Sequence, residues 1–224
     1  MISNRERIAR KVALDIQDGE FVNFGFGIPY SIPPYFDKSK KIFFQNEPGV
    51  VCFGTHTPAE NGYYEMLDAA NRYVCELARG AFMDTPTSFA MIRGGHIGKT
   101  VLGALQVDSH ANIANWKTPG MPATAIGGAM DLCAGCPQVL VTMESTTKTG
   151  APKMVETCSY PLTAVGRVTM VYTELGVFTV NPKDGFTLIE RFPDYSVDQI
   201  LAKVDAPVAI SPDLKIIDIG VPLD

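Results

Sequence analysis

The spacing of apolar residues along the chain predicts alternating helices and strands. Apolar residues recur every fourth position from Ile8 through Val12 to Ile16, which indicates an amphipathic helix that Asp18-Gly19 can end. Short runs of apolar and β-branched residues, bounded by turn residues, predict buried strands. We expect such strands at residues 21–24, 41–45, 101–107, 139–143, 168–172, 177–180 and 216–219.

Capping residues mark two further helices. Thr85 is the predicted N-cap of one helix, with Pro86 at its first position and Gly94 beyond its end. Ser196 is the predicted N-cap of a short helix that runs from Val197 towards the C-terminus. Helices that alternate with apolar strands predict an α/β fold. We therefore expect a single domain over residues 1–224, with a mixed, largely parallel sheet covered by helices.

Composition and charge restrict the class of protein. A hydrophobic content of 46% with 19% charged residues is ample for a well-packed core. The net charge of −5, with no basic run longer than Lys38 to Lys41, argues against a surface for nucleic acid or anionic membrane. The first residues lack the apolar region of a secretory signal, and no apolar stretch approaches the roughly 18 residues that span a bilayer. We expect a cytoplasmic protein whose partners are small molecules or other proteins.

Cysteine and histidine residues give no clear metal or redox site. The cysteines are an odd set of five in a chain without an export signal, so reduced thiols are expected. Cys133-Ala134-Gly135-Cys136 has the spacing of a redox or zinc half-site, but it lacks a second pair of ligands. His56, His96 and His110 are scattered, and His96 follows a predicted helix end where a structural role is favoured. No metal site is therefore predicted.

Two glycine-containing loops are candidate binding elements. Gly25-Phe26-Gly27 follows a predicted strand, where it can bring backbone N–H groups to a ligand or simply form a tight turn. A dinucleotide fingerprint is disfavoured because Pro29 and Pro33-Pro34 interrupt the helix that it requires. Gly127-Gly128 precedes a predicted helix, whose free N–H groups could stabilise an oxyanion or hold a phosphate. A plain tight loop is the alternative.

Glu47 is the candidate catalytic carboxylate. It stands at the end of an apolar strand and directly before Pro48, which favours extended backbone at Glu47. Pro48-Gly49 fits the central pair of a type II turn, so the carboxylate is expected at a sharp corner of the chain. Strand ends are where α/β folds present reactive groups, although a surface turn glutamate without a role fits the same pattern.

Several strings, in the same order and over nearly the whole chain, resemble the β-subunits of family I CoA-transferases, the 3-oxoacid type. They are Val22-Asn23-Phe24-Gly25-Phe26-Gly27-Ile28-Pro29, Ser88-Phe89-Ala90-Met91-Ile92-Arg93-Gly94-Gly95-His96, Val101-Leu102-Gly103-Ala104-Leu105-Gln106-Val107-Asp108, Asn112-Ile113-Ala114-Asn115-Trp116, Gly127-Gly128-Ala129-Met130-Asp131-Leu132, Pro161-Leu162-Thr163 and Tyr172-Thr173-Glu174-Leu175-Gly176-Val177.

The resemblance implies a nucleophile, a substrate and a partner. Such subunits carry a catalytic glutamate in a Ser-Glu-Asn-Gly motif after a strand, and the matching position here reads Asn46-Glu47-Pro48-Gly49. Glu60-Asn61-Gly62 keeps the literal Glu-Asn-Gly but follows Pro58-Ala59 instead of an apolar strand, so Glu47 is preferred. The implied reaction moves coenzyme A between an acyl-CoA and a carboxylate or 3-oxo acid through a glutamyl-CoA thioester, with an α-type subunit as partner. This reaction uses coenzyme A as a substrate and needs no metal and no permanently bound cofactor.

The resemblance also makes glycines part of the expected site. Residues expected to contact substrate, coenzyme A or an oxyanion are Gly25, Gly27, Gly49, Gly127 and Gly128. Two rival functions stay open: a sugar-phosphate-binding or isomerase-like domain, because one fold hosts many functions, and a non-catalytic assembly subunit in which the altered glutamate loop no longer reacts.

Overall fold

The computed structural model describes residues 2–53, 63–67, 73–74, 80–120 and 126–221. Within these ranges the chain forms four α-helices and fifteen strands, with two short 3₁₀ turns at Pro29–Ser31 and Pro33–Tyr35. The helices are α1 (Asn4–Asp15), α2 (Thr85–Arg93), α3 (Ala129–Gly135) and α4 (Val197–Leu201). The strands are β1 (Phe21–Phe24), β2 (Phe43–Asn46), β3 (Val50–Phe53), β4 (Tyr63–Leu67), β5 (Tyr73–Val74), β6 (Ala81–Phe82), β7 (Lys99–Gly103), β8 (Gln106–Asp108), β9 (Ile113–Ala114), β10 (Gln138–Thr142), β11 (Met154–Val155), β12 (Met170–Tyr172), β13 (Gly176–Asn181), β14 (Gly185–Arg191) and β15 (Val208–Ile216).

A ten-stranded sheet organises the molecule, in the order β15-β14-β13-β12-β10-β7-β1-β2-β3-β6. The central strands β2, β1, β7, β10 and β12 are all parallel to their neighbours within this group. Antiparallel pairs flank them at β2–β3, β3–β6, β12–β13 and β13–β14. The predicted α/β fold with a mixed sheet and a parallel centre is confirmed. Two small sheets, β11-β8-β9 and β4-β5, complete the described strands.

Helices cover both faces of the large sheet. Helix α1 packs its apolar stripe, which includes Ile8 and Val12, into one buried cluster, whereas α2 and α3 contribute Ile92 and Leu132 to another. Consecutive residues of the central strands point to opposite clusters, because side chains alternate along a strand. A strand that is buried on both faces consists of a nearly continuous run of apolar residues, which is why such runs in the sequence predicted the central strands.

The order of the central strands creates a switch point between β1 and β7. The chain runs from β1 to β2 on one side and then returns to β7 on the other side of β1. Because β1, β2 and β7 are parallel, their carboxyl ends meet at the same edge of the sheet. In open α/β sheets, ligands bind in the crevice that opens outside this edge at the switch point.

Two predicted element boundaries are wrong. Helix α1 starts from Ser3 as N-cap and ends at Asp15, about one turn before Asp18-Gly19. The N-cap of α2 is Asp84, whose side chain accepts from Thr87 N–H, so that Thr85 is the first helical residue. Asp and Thr both cap helices well, and only the backbone geometry distinguishes such neighbours. The Ser196 cap of α4 is confirmed and includes a full capping box with Gln199.

Two predicted strands are also wrong in extent. The apolar run 101–107 is divided between β7 and β8, because Leu105 N–H donates to Ala114 O (2.9 Å) and the chain enters the three-stranded sheet. The last strand, β15, ends at Ile216, so the predicted strand at 216–219 is not formed. Ile217 and Ile219 are apolar because they pack into the buried cluster of α1. None of the helices within the described ranges has the length and apolar character to cross a membrane.

Candidate active site

Glu47 lies in a three-residue loop at the carboxyl edge of the sheet. Strands β2 and β3 form a hairpin in which Asn46 pairs with Val50, so Glu47-Pro48-Gly49 is the connection. Because β2 is parallel to β1, the end of β2 brings Glu47 to the edge where the switch point opens. The strand-end corner predicted from the sequence is therefore present.

The turn is displaced by one residue from the predicted one. Gly49 N–H donates to Asn46 O at 3.0 Å, so the central pair of the turn is Glu47-Pro48 instead of Pro48-Gly49. Gly49 follows at φ +117°, and a Cβ built there would lie 3.0 Å from the carbonyl carbon of Met83. Glycine is required at this position by the backbone and by the close approach of the neighbouring strand.

Gly128, the N-cap of α3, holds the Glu47 carboxylate. The N–H group of Gly128 donates to Glu47, and a Cβ at Gly128 would lie 2.7 Å from Glu47 Cδ and 3.2 Å from Phe89 Cζ. The two groups come from hairpin β2–β3 and from the start of α3, which are 81 residues apart (128 − 47). A glycine is needed at 128 because the carboxylate occupies the space of a side chain.

The environment of Glu47 favours its protonated form. Burial raises the pKa of the half-buried carboxyl, the hydrogen bond from Gly128 N–H lowers it, and the negative charge of Asp131 raises it, with a net rise. Asp131 is itself paired with Arg93, whose Nε lies 2.7 Å from Asp131 Oδ1. Water has therefore been partly removed from a carboxylate that is otherwise strongly hydrated.

We expect Glu47→Gln to stabilise the fold increasingly as the pH rises. A carboxyl with a raised pKa binds its proton more tightly in the folded state, so its ionisation costs folding free energy between the ordinary pKa of 4.5 and the raised value. The unfolding free energy of the variant, relative to that of the wild type, should increase as the pH is raised from below 4.5 to neutral. Urea unfolding at each pH measures this difference. Glu156→Gln, at an exposed position, is the control. A stability difference for Glu47→Gln that does not change with pH would contradict the burial argument.

A cavity of about 400 Å³ opens beside Glu47. Its walls come from the carboxyl ends of β1 and β7, from the segment after β9, and from the start of α3. The cavity thus lies at the switch point between β1 and β7, with the carboxylate on its wall. The lining residues are Gly25, Phe26, Glu47, Leu102, Gly103, Ala104, Leu105, Asn115, Trp116, Ile126, Gly127, Gly128, Ala129 and Leu132.

The structure brings together some of the predicted site residues and not others. Gly25, Gly127 and Gly128 line the cavity with Glu47, whereas Gly27 and Gly49 are not among its lining residues. Gly25 allows β1 to approach β7 closely, because a Cβ there would lie 3.0 Å from Leu102 Cδ2. Gly27 has φ +85° and open space around it, which fits the alternative of a tight turn. The second glutamate, Glu60, lies outside the described residues.

A buried polar chain links the strand of Glu47 to its neighbours. Thr100 on β7 donates to Asn23 on β1 (3.4 Å), Asn23 donates to the Gln45 side chain on β2 (2.7 Å), and Gln45 donates to Ser88 on α2 (2.7 Å). Ser88 Oγ in turn lies 3.4 Å from Asn46 O, next to Glu47. Thr100, Asn23, Gln45 and Ser88 are each no more than 3% exposed. Because buried polar groups need partners, this chain fixes three strands and α2 relative to the glutamate loop.

The cysteine pair has a structural environment. Cys133 and Cys136 on α3 and just beyond it are buried free thiols, and burial raises the pKa of each to about 12. Arg167 donates to the carbonyl oxygens of both residues, so it caps the end of α3. Cys52 and Cys75 fall in parts of the chain whose side chains are not described, and His56 is also outside. Among the described residues, no cluster of three His, Cys, Asp or Glu side chains could hold a metal ion.

Asn115 and Trp116 in the cavity wall were not identified as site residues from the sequence. They follow the two-residue strand β9 after a loop tightly organised by Asp108, whose side chain accepts from the N–H groups of His110 and Asn112. Neither periodicity nor a recognised motif marks such a position. The one available signal was their place in a string that resembles the family.

Comparison of the sequence with known proteins matches the chain to coenzyme A transferases in each case. A profile described as Coenzyme A transferase matches residues 5–203. The chain is 38% identical over 213 residues to the mouse mitochondrial succinyl-CoA:3-ketoacid coenzyme A transferase 2B, covering 95% of this chain and 41% of that protein. It is also 38% identical over 212 residues to the acetate CoA-transferase subunit beta of Haemophilus influenzae, covering 94% of each. It thus spans about two fifths of the mouse relative but nearly all of the bacterial subunit.

Among solved structures, the fold resembles acyl-CoA transferase YdiF from Escherichia coli O157:H7. The TM-score is 0.77 at 22% sequence identity, and the match covers 97% of this chain and 44% of that one. This similarity supports the architecture, with helices on both faces of a mixed sheet.

Proposed function

Because the chain belongs to the coenzyme A transferase family, we propose that it is the β-type half of a two-subunit acyl-CoA:carboxylate CoA-transferase with Glu47 as nucleophile. The observation that carries this proposal is the carboxylate of Glu47 at the switch-point cavity, half-buried and held by Gly128 N–H. Coenzyme A is a substrate in this function, and no permanently bound cofactor or metal is required. We also propose a cytoplasmic location.

The proposed reaction proceeds in two halves. A Glu47 oxygen attacks the thioester carbonyl, the C–S bond breaks, and CoA thiolate leaves an acyl-glutamyl anhydride. The thiolate then attacks Glu47 Cδ, the anhydride C–O bond breaks, and the first carboxylate leaves a glutamyl-CoA thioester. An acceptor carboxylate repeats these steps in reverse and departs as the new acyl-CoA. No proton or electron is gained or lost over the cycle.

The position of Gly128 N–H suits this chemistry. Glu47 Cδ is itself attacked in the second and third steps, so negative charge develops on a Glu47 oxygen. The N–H group of Gly128 already donates to that carboxylate, which is where an oxyanion donor has to be. Gly127 N–H, at the same end of α3, is the further donor that we propose. Partial burial of Glu47 removes water that would otherwise weaken the nucleophile.

The experiment that tests this function looks for the covalent intermediate. On incubation of the assembled enzyme with acyl-CoA and no acceptor, we expect a CoA thioester on a peptide that contains Asn46-Glu47-Pro48, detected by mass spectrometry. An adduct on Glu60-Asn61 would show that the literal motif is the functional one. Absence of any adduct together with tight binding of a sugar phosphate would favour the isomerase-like alternative.

We expect the isolated chain to be inactive and to gain activity with an α-type subunit. The bacterial relative is named as a subunit, and the mouse relative is more than twice as long as the matched region. Phe26 in the cavity wall is an apolar side chain that is 63% exposed, and Met130, which follows the lining residue Ala129 in sequence, is 52% exposed. The measurement is acyl-CoA exchange by the chain alone and after co-expression with an α-type subunit. Full transfer by the chain alone would contradict the two-subunit proposal.

A further inference from the structure

Asn115 presents a fixed side-chain amide to the cavity that contains Glu47. It follows β9 and is one of the residues that line the cavity. Its backbone N–H donates to Thr163 Oγ1 at 3.2 Å, and the Thr163 hydroxyl donates to Asn115 Oδ1 at 2.6 Å. Thr163 is 5% exposed, and its own N–H donates to Ile113 O at 2.7 Å. The asparagine is therefore held by a buried threonine that is itself anchored to β9.

The hydrogen bonds define which end of the amide is available. Because Thr163 Oγ1 already accepts the backbone N–H of Asn115, its hydroxyl hydrogen is free to donate, and the side-chain acceptor Oδ1 satisfies it. The Nδ2 group of Asn115 has no hydrogen-bond partner within the part of the chain that the structure describes. Two N–H donors are thus left for a ligand.

Apolar side chains line the same cavity as this donor. Leu102, Leu105 and Ile126 line the same cavity, with the ring of Phe26 at its rim. An amide donor in such surroundings interacts strongly with a ligand oxygen and poorly with a methylene group. The site therefore combines a hydrocarbon-binding wall with one oriented donor for oxygen.

We propose that the Asn115 side-chain amide binds an oxygen at C3 of the acyl group, so that 3-oxoacyl groups are preferred over the corresponding saturated ones. This inference rests on the function proposed above and identifies the substrate feature that the β-type half recognises. Asn115 is then a specificity residue at the substrate, in addition to the nucleophile.

A second oxygen fits Asn115 better than the reacting carbonyl does. The reacting carbon has to come within about 3–3.5 Å of a Glu47 oxygen, and the donor beside Glu47 is Gly128 N–H on α3. Asn115 belongs to a different wall, after β9. An acyl group whose C1 carbonyl lies at Glu47 and whose chain extends into the cavity can place a C3 oxygen at that other wall.

The test compares acetoacetyl-CoA with butyryl-CoA, which share a chain length and differ by the C3 oxygen. For the assembled wild-type enzyme we expect higher kcat/KM with acetoacetyl-CoA. In Asn115→Leu, kcat/KM with acetoacetyl-CoA should fall about tenfold more than with butyryl-CoA, the upper range for one neutral hydrogen bond. Asn115→Asp keeps the acceptor for Thr163 but has no N–H donor, and it should show the same selective loss. Thr163→Val, which removes only the clamp, should show a smaller loss in the same direction.

Several outcomes would overturn this inference while leaving the proposed function in place. They are an equal loss with both substrates, no loss with either, or a wild-type enzyme that transfers butyryl but not acetoacetyl groups. In each case the CoA adduct on Glu47 still forms. Failure of the proposed function is distinct, because the wild-type enzyme would then form no adduct with either acyl-CoA.

Discussion

Glu47→Ala is expected to abolish both the CoA adduct and CoA transfer. Loss of the nucleophile in a covalent mechanism costs on the order of 10⁶ in kcat. The fold should persist, because Glu47 lies in a hairpin loop and its ionised form, with a raised pKa, does not stabilise the native state at neutral pH. The measurements are acyl-CoA exchange by the assembled enzyme and thermal unfolding of the variant.

Two further substitutions sharpen this result. Glu47→Asp withdraws the carboxylate by roughly one methylene and should reduce transfer about 10²-fold, since a misplacement of about 1 Å has that cost. Glu60→Ala is the matched control and should transfer normally. If Glu47→Ala retained activity while Glu60→Ala lost it, the assignment of the nucleophile would be wrong. If both retained activity, the chain would act through some other group.

Gly128→Ala is expected to reduce transfer by about 10²-fold or more. The added methyl would lie 2.7 Å from Glu47 Cδ and 3.2 Å from Phe89 Cζ, so the carboxylate has to move away from its position. Displacement by about 1 Å costs about 10²-fold in rate, and loss of an oxyanion donor costs about 2.7–4 kcal/mol. Overpacking should destabilise the fold by about 1–3 kcal/mol, which thermal unfolding can separate from the kinetic effect.

Gly98→Ala is the control for Gly128→Ala. Gly98 is exposed, and the nearest atom to a Cβ there is Phe21 O at 3.5 Å, an ordinary contact. Transfer by Gly98→Ala should therefore equal that of the wild type. Wild-type turnover in Gly128→Ala would show that Glu47 does not lie against Gly128 during the reaction.

The sequence predicted the position of Glu47 at a strand-end corner because local signals defined it. An apolar strand followed by Pro48-Gly49 predicts a corner, and the structure places Glu47 there. The turn was placed one residue too late, because local preferences favour Pro48-Gly49 as the central pair, whereas the pairing of Asn46 with Val50 makes it Glu47-Pro48. Such pairing is a tertiary property that no short window contains.

Other parts of the site depend on contacts between distant segments. The approach of Gly128 to Glu47, the clamp of Thr163 on Asn115, and the buried polar chain through Gln45 each join residues that are far apart in sequence. The split of the run 101–107 has the same origin, because Leu105 bonds to Ala114 and leaves the main sheet. Local spacing indicates that a residue is buried but does not identify its partner.

Asn23 and Gln45, the middle of the buried polar chain, are also direct register partners in β1 and β2. Their hydrogen bond of 2.7 Å exists in one alignment of these strands. A slip of either strand by one residue would turn its amide to the opposite face, where α1 packs an apolar cluster, and both amides would lose this hydrogen bond. During folding, misaligned pairs of β1 and β2 therefore carry a penalty that apolar side chains alone would not impose. The pairing of these two amides therefore fixes the position along β1 at which the glutamate loop leaves the sheet, before any substrate is bound.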